Sequence, residues 1–139
     1  MPILDAYLAF DGNCAEAMRF YERTLGGKLE VLMTHAQSPL AGQTPPGSDN
    51  RIMHARLNLG DRILMASDAM AGHRYQGMHG FSLSLIYPTA AEAKRVFHAL
   101  AEGGKVTMPM DKTFWAEAFG MLVDRFGTPW MVNGGMMSG

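Results

Sequence analysis

The chain contains one sequence pattern twice, and this repeat limits the folds that it can adopt more than any other feature. Residues 15–21 (AEAMRFY) are followed by Gly26-Gly27-Lys28, and residues 91–97 (AEAKRVF) are followed by Gly103-Gly104-Lys105, an offset of about 76 residues. In both copies an apolar segment precedes the pattern, a helical segment carries it, and extended segments follow. A solenoid needs at least three units of roughly 20–50 residues. The repeat therefore predicts an α+β fold of two βαβββ modules, related by a pseudo-twofold axis and facing each other across a cleft.

The modules and their elements follow from turn residues and from apolar periodicity. We interpret the 139 residues as one domain, with modules at about 1–68 and 80–135 and a glycine-rich linker at 69–79. The first module is predicted to contain a helix at about 14–25 and strands at 3–10, 28–35, 52–59 and 62–67. The second is predicted to contain a helix ending near residue 102 and strands at 81–87, 106–110, 117–124 and 130–133.

Capping residues mark the ends of both predicted helices. Asn13 is expected to cap the first helix with Glu16 at its N3 position, and Thr89 to cap the second with Glu92 at N3. Gly26 ends the first helix. Residues 37–50 contain three prolines and two glycines without apolar periodicity, so they predict a surface loop that covers the cleft. The Gly/Met/Ser tail after residue 133 is expected to fray.

Composition argues against several classes of partner. The net charge is −1 and no basic stripe occurs, so nucleic-acid binding is not expected. Every apolar run is far shorter than the roughly 20 residues that span a bilayer, and no signal peptide is recognisable. Cys14 is the single cysteine, which excludes an internal disulfide and fits a reducing cytoplasm.

Residues that carry a family resemblance lie along nearly the whole chain. Residues 20–27 (FYERTLGG) resemble the FYxxxLG signature of the vicinal oxygen chelate superfamily, which includes glyoxalase I, extradiol dioxygenases and bleomycin-resistance proteins. Residues 7–15, 65–68, 113–116 and 126–131 are similar to its PhnB-like branch. The resemblance implies half-barrel sheets around a cleft. Some members of this branch are described as ubiquinone-related methyltransferases, but no glycine-rich loop follows a strand in a doubly wound pattern here.

The resemblance also implies where the metal ligands of the superfamily would fall. Those positions are occupied by Ala6, Ser82, Met131, and either Leu64 or Ala66. A divalent ion needs about three protein ligands, usually His or carboxylate. We therefore predict no cofactor. The alternative is a divalent metal held by displaced ligands drawn from His54, Asp68, His73 and His79.

Candidate site residues follow from strand alternation. In the strand at 52–59, His54, Arg56 and Asn58 share a polar face, on which His54 can transfer protons and Arg56 can bind an anion. Asp68 could pair with them or bind ligand. Glu117 is a candidate base on a later strand. We assign ligand binding to Arg56, Asp68, Trp115, Phe119 and Met131, and catalysis to His54 and Glu117. The competing interpretation is structural: ion pairs for the charged groups, and core or interface packing for Trp115.

Three functions compete. The first is binding of a small, flat or anionic molecule in a cleft lined by methionine and aromatic side chains, without the standard metal. The second is a metal-dependent lyase, isomerase or dioxygenase-like enzyme with displaced ligands, and the third is a metal-free enzyme in which His54 or Glu117 moves a proton. Exposed sheet edges and apolar surface predict a homodimer. The sequence favours neither an enzyme nor a binding protein.

Overall fold

A computed structural model describes residues 1–137, which fold into two compact units that divide between Gly77 and Met78. The first unit contains, in chain order, β1 (Ala6–Phe10), α1 (Cys14–Leu25), β2 (Lys28–Thr34), β3 (Ile52–Asn58) and β4 (Ile63–Asp68). The second contains β5 (Leu83–Tyr87), α2 (Ala90–Ala101), β6 (Lys105–Asp111), β7 (Ala116–Val123) and β8 (Pro129–Met136). The predicted α+β class and the two βαβββ modules are confirmed.

Each unit has one sheet of four strands with the same topology. The strand orders are β1-β4-β3-β2 and β5-β8-β7-β6. In each sheet the first strand pairs in parallel with the last, and the remaining pairs are antiparallel. A helix connects the first strand of each unit to the next, as the repeat predicts.

The helix of each unit packs on one face of its sheet, and alternation along the strands decides which side chains are buried. In α1 the buried residues include Ala17, Phe20 and Tyr21. In β3 the side chains of Ala55 and Leu57 are buried, whereas His54, Arg56 and Asn58 are only half-buried. Burying such apolar side chains stabilises a fold by roughly 1.5–3 kcal/mol each. The predicted division of β3 into an apolar and a polar face is confirmed from His54 to Asn58. It fails at the start of the strand, where Ile52 is buried and Met53 is only half-buried, because the register against β2 shifts there.

Helix α2 contacts its sheet closely because glycines in the sheet leave room for it. A Cβ on Gly134 would collide with Ala93 and with the backbone oxygen of Thr89. Gly120 leaves comparable room for the ring of Phe97. Trp130 is buried on the α2 side of β8, as its alternation with Met131 predicts. Its Nε1 donates to the Asp124 carboxylate at 2.8 Å.

The two helices begin differently. Thr89 caps α2 as predicted, since its hydroxyl accepts a hydrogen bond from the Glu92 backbone N–H at 3.2 Å. The predicted cap of α1 is wrong, because the side chain of Asn13 makes no capping hydrogen bond. At the other end of α1, Gly26 adopts φ 83° and its N–H donates to Glu22 O at 3.0 Å, as the predicted stop requires.

Three strand boundaries also differ from prediction by two residues or more. Strand β5 begins at Leu83 and not at residue 81, where Phe81 is exposed. Strand β1 begins at Ala6, because Ile3 and Leu4 are exposed and pair with no strand among the described residues. Strand β8 continues to Met136 because Gly134 and Met136 pair with β7, so the tail does not fray directly after residue 133. The last two residues of the predicted tail, 138–139, lie outside the described residues. Within residues 1–137, no helix is both long and apolar enough to cross a membrane.

Candidate functional site

The face of the first sheet that is turned away from α1 carries a polar group of side chains. We call this side the open face of the first sheet. It presents Tyr7 from β1, His54 and Arg56 from β3, and Met65 and Ser67 from β4. Two predicted site residues, His54 and Arg56, therefore share one surface with a tyrosine that the sequence did not single out.

Tyr7 and His54 are in direct contact on this face. The Tyr7 hydroxyl lies 3.1 Å from His54 Nδ1, and the two rings stack with centroids 5.8 Å apart and planes 25° apart. Because β4 lies between β1 and β3, the contact crosses a whole strand. The alternation of β1 places Tyr7 opposite to the buried Leu8, and this is the one sequence signal that could have identified it.

Arg56 is already part of an ion pair. Its Nε donates to Glu30 at 3.2 Å, and the Asn58 amide donates to the other oxygen of the same carboxylate at 3.3 Å. These contacts, with the Asn58 hydrogen bond first and the Arg56 hydrogen bond second, lower the pKa of Glu30 from its ordinary value. The pair is solvent-exposed, so it contributes little to stability. The charge of Arg56 is thus partly balanced before any ligand binds.

Asp68 lies on the opposite side of the first sheet from His54 and Arg56. It is only 6% exposed, and one carboxylate oxygen accepts the backbone N–H groups of Gly12 and Cys14 at 2.8 and 3.0 Å. The other oxygen accepts the N–H of Ile52 at 2.8 Å. These contacts join the ends of β1, β3 and β4 to the start of α1. The geometry favours the structural role for Asp68 over the ligand-binding role predicted for it.

The open face of the second sheet, which is the face turned away from α2, carries aromatic and methionine side chains. The Trp115 ring lies edge-on to Phe119 at 5.1 Å and to Phe114 at 4.8 Å. Met131 is paired in register with Met121 on the same face. Three predicted ligand-binding residues, Trp115, Phe119 and Met131, therefore belong to one surface.

Asn133 anchors this aromatic group and was not predicted as a site residue. It is 6% exposed, and its Oδ1 accepts a hydrogen bond from the indole Nε1 of Trp115 at 3.1 Å. Its Nδ2 donates to the Ser84 hydroxyl and to the backbone oxygen of Leu85, both at 3.4 Å. A buried amide costs free energy unless it is hydrogen-bonded, so this network holds the indole in one orientation. In the sequence, only the position of Asn133 between two buried strand residues indicates its role.

Glu117 lies near the end of the same face. Its side chain is exposed and lies over Gly135. A Cβ added at Gly135 would stand 2.9 Å from the carboxyl carbon of Glu117. No side chain or backbone group among residues 1–137 donates a hydrogen bond to its carboxylate. Glu117 belongs to the second unit and His54 to the first. Their predicted catalytic roles stay predictions.

The side chains at the positions where the resemblance places the superfamily's metal ligands differ from the usual His and carboxylate set. Ala6 has no donor atom, and Leu64 and Ala66 are buried and apolar. Ser82 and Met131 supply a hydroxyl and a thioether, whereas a hard or borderline cation prefers carboxylate and imidazole. Within the described part of the chain, no group of three or more His, Cys, Asp or Glu side chains is close enough to hold a metal.

Two βαβββ modules with these topologies have the fold of the vicinal oxygen chelate superfamily. Solved proteins of the glyoxalase/bleomycin-resistance/dioxygenase group share the fold at 14% identity, with TM-scores of 0.67 and 0.61. Identity at that level shows the fold alone.

The chain belongs to the PhnB-like family within this superfamily, described as 3-demethylubiquinone-9 3-methyltransferase, which it matches over residues 3–133. It is 48% identical to protein PA1353 from Pseudomonas aeruginosa, with a TM-score of 0.89 over 96% of this chain and 98% of that one. It is 38% identical to protein YjdN of Escherichia coli, over 94% of this chain and 93% of that protein. A PhnB protein from Bacillus cereus is 25% identical, with a TM-score of 0.79 and coverage of 96% and 99%.

Proposed function

We propose that the protein binds a small, flat, largely apolar molecule on the open face of the second sheet, without a divalent metal at the superfamily's standard positions. The observation that carries this proposal is that Asn133 holds the Trp115 indole on a face that also carries Met131, with the buried Phe119 ring packed edge-on against the indole. The proposal does not include methyl transfer, although the family is described as a methyltransferase. Neither four-stranded sheet has the doubly wound parallel order in which a glycine-rich loop after a strand binds a nucleotide-type cofactor.

The aromatic group is suited to a flat ligand because its orientation is set in advance. Aromatic pairs contribute about 0.5–1.5 kcal/mol beyond the area that they bury. Trp115 is already in edge contact with two phenylalanines and hydrogen-bonded through Nε1, so little ordering is needed when a ligand stacks on it. Met121 and Met131 have flexible thioether side chains that adapt to the outline of an apolar ligand. The exposed Ser84 adds one hydroxyl that can bind a polar substituent.

Tryptophan fluorescence tests this proposal, because the chain has two tryptophans in different environments. The probe is 8-anilinonaphthalene-1-sulfonate, a dye with a flat naphthalene ring. We expect saturable quenching of the wild-type protein and weaker dye binding by Trp115→Phe, in which the buried Trp130 alone reports the quenching. Asn133→Ala should weaken dye binding about tenfold, equivalent to about 1.4 kcal/mol, whereas Asn50→Ala in the exposed loop should not. Equal binding by Asn133→Ala and wild type would contradict the proposal.

The metal-dependent alternative has a separate test. Protein stripped with EDTA is titrated with Mg²⁺, Mn²⁺, Fe²⁺, Co²⁺, Ni²⁺ and Zn²⁺ while thermal unfolding is followed. An ion at about 100 times its dissociation constant would add roughly 2.7 kcal/mol to the free energy of unfolding. We expect no saturable increase in Tm. An increase that disappears in His54→Ala would establish displaced ligands and overturn the metal-free part of the proposal.

Two further features of the protein are proposed, one from exposed side chains and one from the sequence. Exposed apolar side chains such as Ile86 and Phe114 support a homodimer, because a monomer seldom leaves such surface uncovered. Cys14 is the one cysteine of the chain, which supports a location in the reducing cytoplasm. The proton-transfer roles of His54 and Glu117 are retained as predictions of a metal-free enzyme.

A further inference from the structure

The contact between Tyr7 and His54 restricts the chemistry that His54 can perform. The hydroxyl-to-Nδ1 distance is 3.1 Å, within the usual range for a hydrogen bond, and the stacked rings keep the two groups together. One of the two atoms must donate the hydrogen. The choice decides which nitrogen of the neutral imidazole carries its proton, and therefore whether Nε2 donates or accepts.

The physical chemistry of the two groups favours the tyrosine as donor. A phenol hydroxyl donates readily, and an unprotonated imidazole nitrogen is a stronger acceptor than a phenol oxygen. If Tyr7 donates to Nδ1, the hydrogen of neutral His54 lies on Nε2. A general base acting through Nε2 would need the opposite tautomer.

We propose that Tyr7 is a positioning residue that holds neutral His54 in the Nε2–H tautomer, so that His54 donates a hydrogen bond to a carboxylate oxygen of a bound ligand. The ligand group is expected to be a carboxylate and not a neutral carbonyl, because the positively charged Arg56 lies two residues from His54 on the same face of β3. Its Nε is bonded to Glu30, and its terminal nitrogens have no hydrogen-bond partner within residues 1–137. A guanidinium with free terminal N–H groups binds carboxylates well.

This inference uses the open face of the first sheet and does not depend on dye binding by the second. Failure of the Trp115 experiment would leave it intact, and its own failure would leave the proposed aromatic site intact.

Nuclear magnetic resonance of protein labelled with ¹⁵N-histidine tests the tautomer directly. We expect the His54 signals of the wild type above the imidazole titration range to show a protonated Nε2 and an unprotonated Nδ1. Tyr7→Phe keeps the ring but removes the hydroxyl, and it should reduce the tautomer ratio roughly two- to tenfold, the effect of one ordinary hydrogen bond. Tyr75→Phe is the matched control, because its hydroxyl donates to Ala9 O on the same strand and does not touch His54. An Nδ1–H tautomer in the wild type, or an unchanged ratio in Tyr7→Phe, would overturn the proposal.

Titration with benzoate tests the ligand class on the same samples. We expect a saturable shift of the His54 Nε2 resonance, with affinity reduced roughly two- to tenfold in Tyr7→Phe and unchanged in Tyr75→Phe. His98 on the surface of α2 serves as an internal control for general ionic effects. A shift of equal size at His98, or no saturable shift at His54, would show that His54 is not a carboxylate donor.

Discussion

Replacing Asp68 by asparagine should destabilise the first unit strongly, although the change removes no volume. The carboxylate accepts three backbone hydrogen bonds, two through one oxygen and one through the other. The amide that replaces this carboxylate has one oxygen only. The least costly orientation keeps that oxygen on Gly12 and Cys14 and turns an NH₂ group towards the buried N–H of Ile52.

The expected cost follows from the hydrogen bonds that change. A buried donor without a partner costs about 1–3 kcal/mol, and the Ile52 N–H would also face another donor. The two retained bonds become neutral, and hydrogen bonds to charged groups are worth about twice as much as neutral ones, so roughly 1 kcal/mol more is lost. Removal of a buried charge returns part of this sum, and the repulsion between the two facing donors at Ile52 offsets that return. We expect Asp68→Asn to lower the free energy of unfolding by about 2–4 kcal/mol.

Urea denaturation followed by circular dichroism measures this loss. At an m-value of about 1.5 kcal/mol/M, the midpoint should fall by roughly 1–3 M. Asp61→Asn, in the exposed turn between β3 and β4, is the matched control and should change stability by less than about 0.5 kcal/mol. If both variants unfold at the wild-type midpoint, the three hydrogen bonds do not stabilise the fold in the way described. Asp68→Ala should be at least as destabilising as Asp68→Asn, because it leaves all three N–H groups without their acceptor.

Three other predictions concern the core and the assembly. Burial, and secondly the nearby Asp68 carboxylate, raise the pKa of Cys14 from 9.0 to about 12. The thiolate fraction near pH 8, and with it the alkylation rate, should therefore be about a thousandfold lower in native protein than after urea unfolding, and equal alkylation rates would contradict this. The folded state should also lose stability as pH rises from about 9 towards 12. Gly134→Ala should lower the urea midpoint more than Gly60→Ala. The Cβ added at Gly134 collides with Ala93, whereas the Cβ added at Gly60, where φ is 96°, meets no neighbouring atom and causes backbone strain only. Equal midpoints would refute the packing argument. Sedimentation equilibrium should show a dimer of the 15.2 kDa chain, and a monomer alone would refute the homodimer.

Much of the fold could be predicted from the sequence because its strongest signals are local or periodic. The repeat located both helices to within about two residues, and alternation in β3 separated Ala55 and Leu57 from His54 and Arg56. Both signals depend on spacing within one element. They require no knowledge of which strands pair.

The parts of the candidate site that the sequence did not predict depend on pairing between distant strands. Tyr7 and His54 are separated by 47 positions and meet only because β4 lies between their strands. Asn133 and Ser84 are 49 positions apart and meet only because β5 and β8 are parallel neighbours. Neither contact has a local motif, so neither could be read from the sequence before the strand order was known.

The two helix starts show how similar sequences reach the same fold through different contacts. Both copies place a polar residue three positions before a glutamate, and only Thr89 acts as the predicted cap. At the start of α1 the Asp68 carboxylate instead accepts the N–H of Cys14, the first residue of the helix, and that of Gly12 just before it. Asp68 lies 54 positions from Cys14, at the end of the strand paired with β1. A side-chain cap stabilises a helix start from within one segment, whereas the Asp68 contact forms only when β4 is in place beside β1. The start of α1 should therefore lose its support when β4 detaches, and the start of α2 should keep its own cap when β8 does.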